Sequence, residues 1–86
     1  MKDKVIQAAG KVWKTLGEKG PVSAAQLAKT IKLNAEITNQ AIGWLAREDK
    51  IKYIAKGSKI LISLVDTEQQ MFNIVKETPL TQANRN

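Results

Sequence analysis

Asn39, Gln40 and Arg47 carry the side chains best suited to reading another molecule. An Asn or Gln amide matches the N6 and N7 edge of adenine, and an Arg guanidinium matches O6 and N7 of guanine. At 100° per residue they fall on one side of a helix with Glu36, Gly43 and Ala46, opposite Ile37, Ala41, Trp44 and Leu45, with Ile42 at the edge. Lys50, Lys52, Lys56 and Lys59 follow as a second group. Their ammonium ions suit phosphate contacts, which fix register without reading sequence. Each group also has a plainer reading, the polar face as solvated surface and the lysines as guards of an exposed strand edge. Glu36 counts against DNA readout, since a carboxylate in the groove repels phosphates unless a cytosine amino group meets it. Gly43 costs helix stability on a face that needs no internal packing, which fits close approach of a phosphate strand or of a second helix.

Composition removes most other chemistry. The chain has no Cys and no His, so thiol nucleophiles, disulfides, imidazole bases and the usual zinc ligands are absent. There is no glycine-rich phosphate loop, and Glu48-Asp49, the one adjacent carboxylate pair, reads as a solvated helix end. No enzyme is expected, and no cofactor, metal or small-molecule ligand is called for. Met1-Lys2-Asp3-Lys4 leads into an amphipathic stretch, so neither a signal peptide nor a membrane span is expected and the cytoplasm is the default location. Residues 1–65 hold twelve basic and five acidic side chains, a net +7, whereas residues 66–86 hold two and three, a net −1. The excess sits on one segment, which suits an anionic partner beyond the needs of solubility.

The elements that must position these groups are legible in order. Val5, Ile6, Ala9, Val12, Trp13 and Leu16 recur at helical spacing, predicting a helix over 3–17 that Gly17 stops. Gly10, beside Ala8 and Ala9, is expected to let another helix pack closely. Ser23 and Gln26 match a capping box that opens a helix over 23–33, and Val22 is placed to add a short strand to a later hairpin. Asn34 is the expected cap of a helix over 35–49. Apolar, β-branched runs at 51–55 and 59–65, joined by Lys56-Gly57-Ser58, predict an antiparallel hairpin. Trp13 and Trp44 are expected in the core, Trp44 and Leu45 packing on Val12, Trp13 and Leu27.

Helix, turn, helix and two-stranded wing is the layout of a winged helix-turn-helix domain, α+β and mostly α, over residues 1–65. A C-terminal helical segment is expected over 66–78, with a Thr67–Gln70 capping box, and a disordered tail over 79–86 after Pro79. Met71, Phe72, Ile74 and Val75 give that segment an apolar stripe that either closes the domain's own core or joins two copies as a homodimer.

The run Ala41-Ile42-Gly43-Trp44-Leu45-Ala46-Arg47-Glu48-Asp49-Lys50-Ile51, with the sequence of residues 6–16 before it, resembles a small prokaryotic winged helix-turn-helix family of unestablished function. The resemblance spans about residues 3–65 and implies the fold, a general expectation of DNA binding, and a homodimer. It carries no ligand and no catalytic residue. The leading expectation is a double-stranded-DNA-binding protein, a small transcriptional regulator or chromosome-associated factor, with 35–49 as recognition helix and 50–60 as wing. The alternative is a winged-helix protein-interaction module in which Gly43, Ala46 and the C-terminal stripe make the contact.

Overall fold

A computed structural model describes residues 2–77, in the order α1 (Lys2–Lys19), α2 (Ala24–Ile31), α3 (Ala35–Arg47), β1 (Ile51–Lys56), β2 (Lys59–Leu64) and α4 (Asp66–Glu77). This is a winged helix: a helix-turn-helix on α1, with an antiparallel hairpin beside it. The expected tail and the stop at Pro79 lie outside the described residues.

Helix starts follow the caps. Ser23 Oγ accepts from the Gln26 amide at 3.2 Å while Gln26 Oε1 accepts from the Ser23 amide at 3.1 Å, closing the box that opens α2. Asn34 Oδ1 accepts from the Ile37 amide at 2.8 Å and opens α3. The Thr67–Gln70 box does not form among the described hydrogen bonds; α4 begins at Asp66, its first turn carrying Asp66 and Glu68 in place of a side-chain cap. Two acidic groups there complement the positive end of the helix dipole.

Helix ends depart further from expectation. Gly17 does not stop α1, which runs on to Lys19; Gly20, with φ +80°, turns the chain, its amide donating to Leu16 O at 2.8 Å. Asp49 ends α3 in the left-handed region at φ 59°, with Asp49 N donating to Ala46 O and Lys50 N to Leu45 O at 3.1 and 3.0 Å. That is a Schellman closure built without glycine, in a conformation that Asp tolerates better than most residues. α2 and α3 are accordingly shorter than expected at their C-terminal ends, by two residues each.

One core joins every element. Ala8, Ala9, Val12 and Leu16 of α1 meet Leu27 of α2, Ala41, Ile42 and Leu45 of α3, Ile51, Ile62 and Leu64 of the hairpin, and Phe72 of α4. Thr38, also fully buried, is tied down by its own hydroxyl donating to Asn34 O at 2.9 Å. Both tryptophans pack against the core without being fully enclosed, so Trp44 lies mostly covered at its edge while Leu45 is buried in it. Trp13 instead bridges elements, its Nε1 donating to Glu68 Oε1 at 2.8 Å and its ring standing edge-on to Phe72 at 5.4 Å. The anticipated third strand is present as a bridge, with Val22 N to Ile62 O at 3.1 Å and Ile62 N to Val22 O at 2.7 Å.

Gly17 has a different purpose from the one its type suggests. A Cβ there would overlap the ring of Phe72, so the glycine lets α4 settle onto α1. Gly10 has the reverse character: among the described residues nothing lies within 4 Å of the position of its missing Cβ, so none of them makes the close helix contact expected of it. Gly17→Ala should therefore destabilise the fold by about 1–3 kcal/mol through overpacking. Gly10→Ala should leave it unchanged or raise it by up to about 1 kcal/mol through helix propensity. Urea unfolding of dilute protein separates the two, and equal effects would contradict the seat of Phe72 on Gly17.

Candidate nucleic-acid interface

The hairpin register sorts the wing into two unlike faces. Ile51↔Leu64, Tyr53↔Ile62 and Ala55↔Ile60 pair on one face, and Lys52↔Ser63, Ile54↔Leu61 and Lys56↔Lys59 on the other. At its base the first face is core. Toward the tip it runs past the core, leaving Tyr53 and Ile60 exposed at 56% and 58%. These two look across to α3. Together with Ala24, Asn39, Ile42, Gly43 and Ile62 they line a hollow of about 310 Å³. Among the described residues no charged side chain lines it, and its polar side-chain groups are the Asn39 amide and the Tyr53 hydroxyl.

Asn39, Gln40, Gly43 and Arg47 all lie exposed along α3, as the helical spacing requires. Only Asn39 and Gly43 enter the hollow; Arg47 lies one turn further, in the last turn of the helix. Nothing comes within 4 Å of a Cβ built on Gly43. The four lysines divide into two pairs. Lys56 and Lys59 stand opposite each other at the hairpin turn, exposed, beside Gly57 at φ +63°. Lys50 and Lys52 turn to α4, with Lys50 Nζ 3.8 Å from Glu68 and Lys52 Nζ 3.6 Å from Asp66. The structure thus brings Asn39 and Gly43 to the wing, keeps Lys56 and Lys59 at its tip, and draws Lys50 and Lys52 toward the C-terminal helix.

Tyr53 and Ile60 were not among the candidates. Their signal was present in the two-residue alternation of 51–56: Tyr53 shares a face with Ile51, and that face outruns the core by one residue pair. The apolar stripe of α4 also divides. Phe72 is buried on Gly17 and Trp13, whereas Met71, Ile74 and Val75 stay exposed at 52%, 59% and 50%. Phe72 is therefore core and not free to join two copies. Beside the other three, two hollows of about 420 and 380 Å³ flank Gly10, the first lined by Ile6, Trp13, Trp44 and Met71, the second by Trp13, Phe72 and Val75. No described helix is long and apolar enough to cross a membrane.

α3 is held in place by its cap as well as its core face. Asn34→Ala should cost about 1 kcal/mol of stability, because the Ile37 amide loses its acceptor. Amide exchange should quicken first over residues 35–38. Unchanged exchange there would mean that the core stripe alone fixes the start of the helix.

The chain belongs to the winged helix-turn-helix domain family DUF2582, whose model matches residues 1–64. It is similar to an uncharacterized protein of Methanocaldococcus jannaschii, 41% identical over 64 residues that make up 71% of this chain and 90% of that one. The solution structure of a Bacteroides thetaiotaomicron protein is also 41% identical, covering 73% of this chain and 77% of its own at a TM-score of 0.67. A predicted DNA-binding transcriptional regulator from E. coli, 22% identical, shares the fold at a TM-score of 0.65 over 76% of this chain and 70% of that one.

Proposed function

We propose that this protein binds double-stranded DNA as a small regulator or chromosome-associated factor, with α3 in the major groove and the wing tip on flanking phosphates. The observation that carries this reading is the shared hollow. It joins the polar face of α3 to the wing, with Arg47 one turn further along α3 and Lys56 and Lys59 at the hairpin turn. The +7 excess of residues 1–65 supplies the attraction to an anionic duplex. A fold shared with a protein described as a DNA-binding regulator supports the same reading. A cytoplasmic location follows from that role. Lys50 and Lys52, engaged with Glu68 and Asp66, contribute less than the tip lysines.

Duplex affinity should fall steeply with salt, the log–log slope growing by about 0.9 for each phosphate contact. Lys56→Glu with Lys59→Glu should weaken binding to all sequences alike and flatten that slope by about two contacts. Arg47→Ala or Asn39→Ala should alter preference between sequences instead. Fluorescence anisotropy on labelled duplexes reads both. No duplex binding even at low salt would leave the protein-interaction reading as the better one.

A homodimer accompanies this role. Met71, Ile74 and Val75 are exposed on one face of α4, with Met71 and Val75 each lining one of the two hollows beside Gly10, and such an apolar face suits a second copy. A two-fold pair would also present two α3 helices to half-sites about one helical turn apart, roughly 34–36 Å. Sedimentation of the full chain should show a dimer at high micromolar concentration, and Met71→Glu with Val75→Glu should return it to monomer. A wild-type monomer throughout that range would refute the pairing and leave single-wing recognition.

A further inference from the structure

The hollow between α3 and the wing has a chemistry that duplex binding alone does not explain. Phosphate contacts call for cations, yet no charged side chain lines it. It is lined by Ala24, Ile42, Ile60, Ile62, Tyr53 and Gly43, and its polar side chains are the Asn39 amide and the Tyr53 hydroxyl. Gly43 costs helix stability of about 1 kcal/mol against alanine, and no described residue comes near enough to require it. What the glycine leaves is room for a small apolar group beside an amide.

The geometry points to thymine recognition: resting on the duplex reading above, the hollow receives the C5 methyl of a thymine while Asn39 reads adenine. The major groove carries one apolar group, the thymine methyl; guanine shows two acceptors there and cytosine an amino donor. Where it meets Ile42, Ile60 and Ile62, away from the Asn39 amide and the Tyr53 hydroxyl, a guanine O6 or a cytosine N4 would lose water without gaining a partner, which costs free energy. A methyl loses nothing by leaving water. Asn39 lies one helical turn before Gly43, about 6 Å along the axis, which spans one to two base-pair steps of roughly 3.4 Å. Its Oδ1 accepts from adenine N6 and its Nδ2 donates to adenine N7 at one pair, while the methyl of a neighbouring pair enters the hollow. The cations sit outside, Arg47 one turn on and Lys56 and Lys59 at the wing tip, where the phosphates run. The arrangement selects A·T-rich sites, and Gly43 and Tyr53 join Asn39 as specificity-determining residues.

Uracil is thymine without the methyl, which gives a direct test. A labelled duplex of alternating A·T pairs is compared by anisotropy, at low salt, with the same duplex carrying uracil for every thymine. Wild-type protein should bind the thymine form about fourfold more tightly for each methyl buried. Gly43→Ala places its own methyl in the hollow, and open space around that Cβ keeps the fold intact, which a melting curve checks. This variant should weaken on thymine duplex and bind both forms about equally. Wild-type protein that binds both duplexes with equal affinity would overturn methyl recognition and leave the duplex reading standing. A Gly43→Ala variant that keeps the wild-type ratio would remove Gly43 as the seat. Failure to bind either duplex would sink the duplex reading and this inference together, leaving the hollow to an apolar side chain of a protein partner.

Discussion

The packing of α1 against α3 is the constraint on which everything outward depends. It is the most extensive contact between helices, and it uses small residues: Ala8 and Ala9 on one side and Ala41 on the other are buried in it. Small side chains let two backbones approach, and Val12, Leu16 and Leu45 then fill the flanks. That contact sets which side of α3 is spent on the core. Asn39, Gly43 and Arg47 face outward because Thr38, Ala41, Ile42 and Leu45 cannot. The hairpin follows directly, since the Schellman closure at Asp49 fixes where the chain leaves α3 and Ile51 re-enters the core two residues later.

Much of this was legible from periodicity and capping, because both are local. Ser23 and Asn34 begin their helices where their hydroxyl and amide reach an orphan backbone donor, and the three-residue spacing of each cap is written in the chain. The glycines were less legible because their reasons are not local. Gly17 looked like a stop and is a landing place for Phe72, a residue 55 positions later. Gly10 looked like a packing notch and is bare. Trp44 falls on the apolar arc of α3 and packs on the core, but at its edge, so it is not fully enclosed as Leu45 is. Pattern gives the direction of a side chain, whereas what lies there is decided by the tertiary partner.

The same limit shaped the reading of the wing. Counting lysines over 50–59 gives four like charges in a row of ten residues. Strand register then places Lys52, Lys56 and Lys59 on the face away from α3, and the acidic start of α4 claims Lys50 and Lys52. These pairs are long and partly open to water, so they do little to seat α4. The ring of Phe72 on Gly17 and Trp13, and the buried end of the Trp13–Glu68 hydrogen bond, hold that helix instead.

The ion pairs still matter for function, through where they leave charge. α4 neutralises the two lysines nearest the base of the wing and none at its tip, so the positive potential of the wing is drawn outward to Lys56 and Lys59. Arg47 adds to it from the end of α3. A cation at the hollow would bind phosphate anywhere and hold the duplex in many registers. On the proposed duplex reading, cations outside the hollow and apolar walls inside it would separate the two tasks: the wing tip and Arg47 would grip phosphates, and the base edge that meets Gly43 and Tyr53 would be judged on whether it can lose water without loss. On that reading, the lack of charge among the described residues that line the hollow is as much a part of the recognition surface as the lysines at the wing tip.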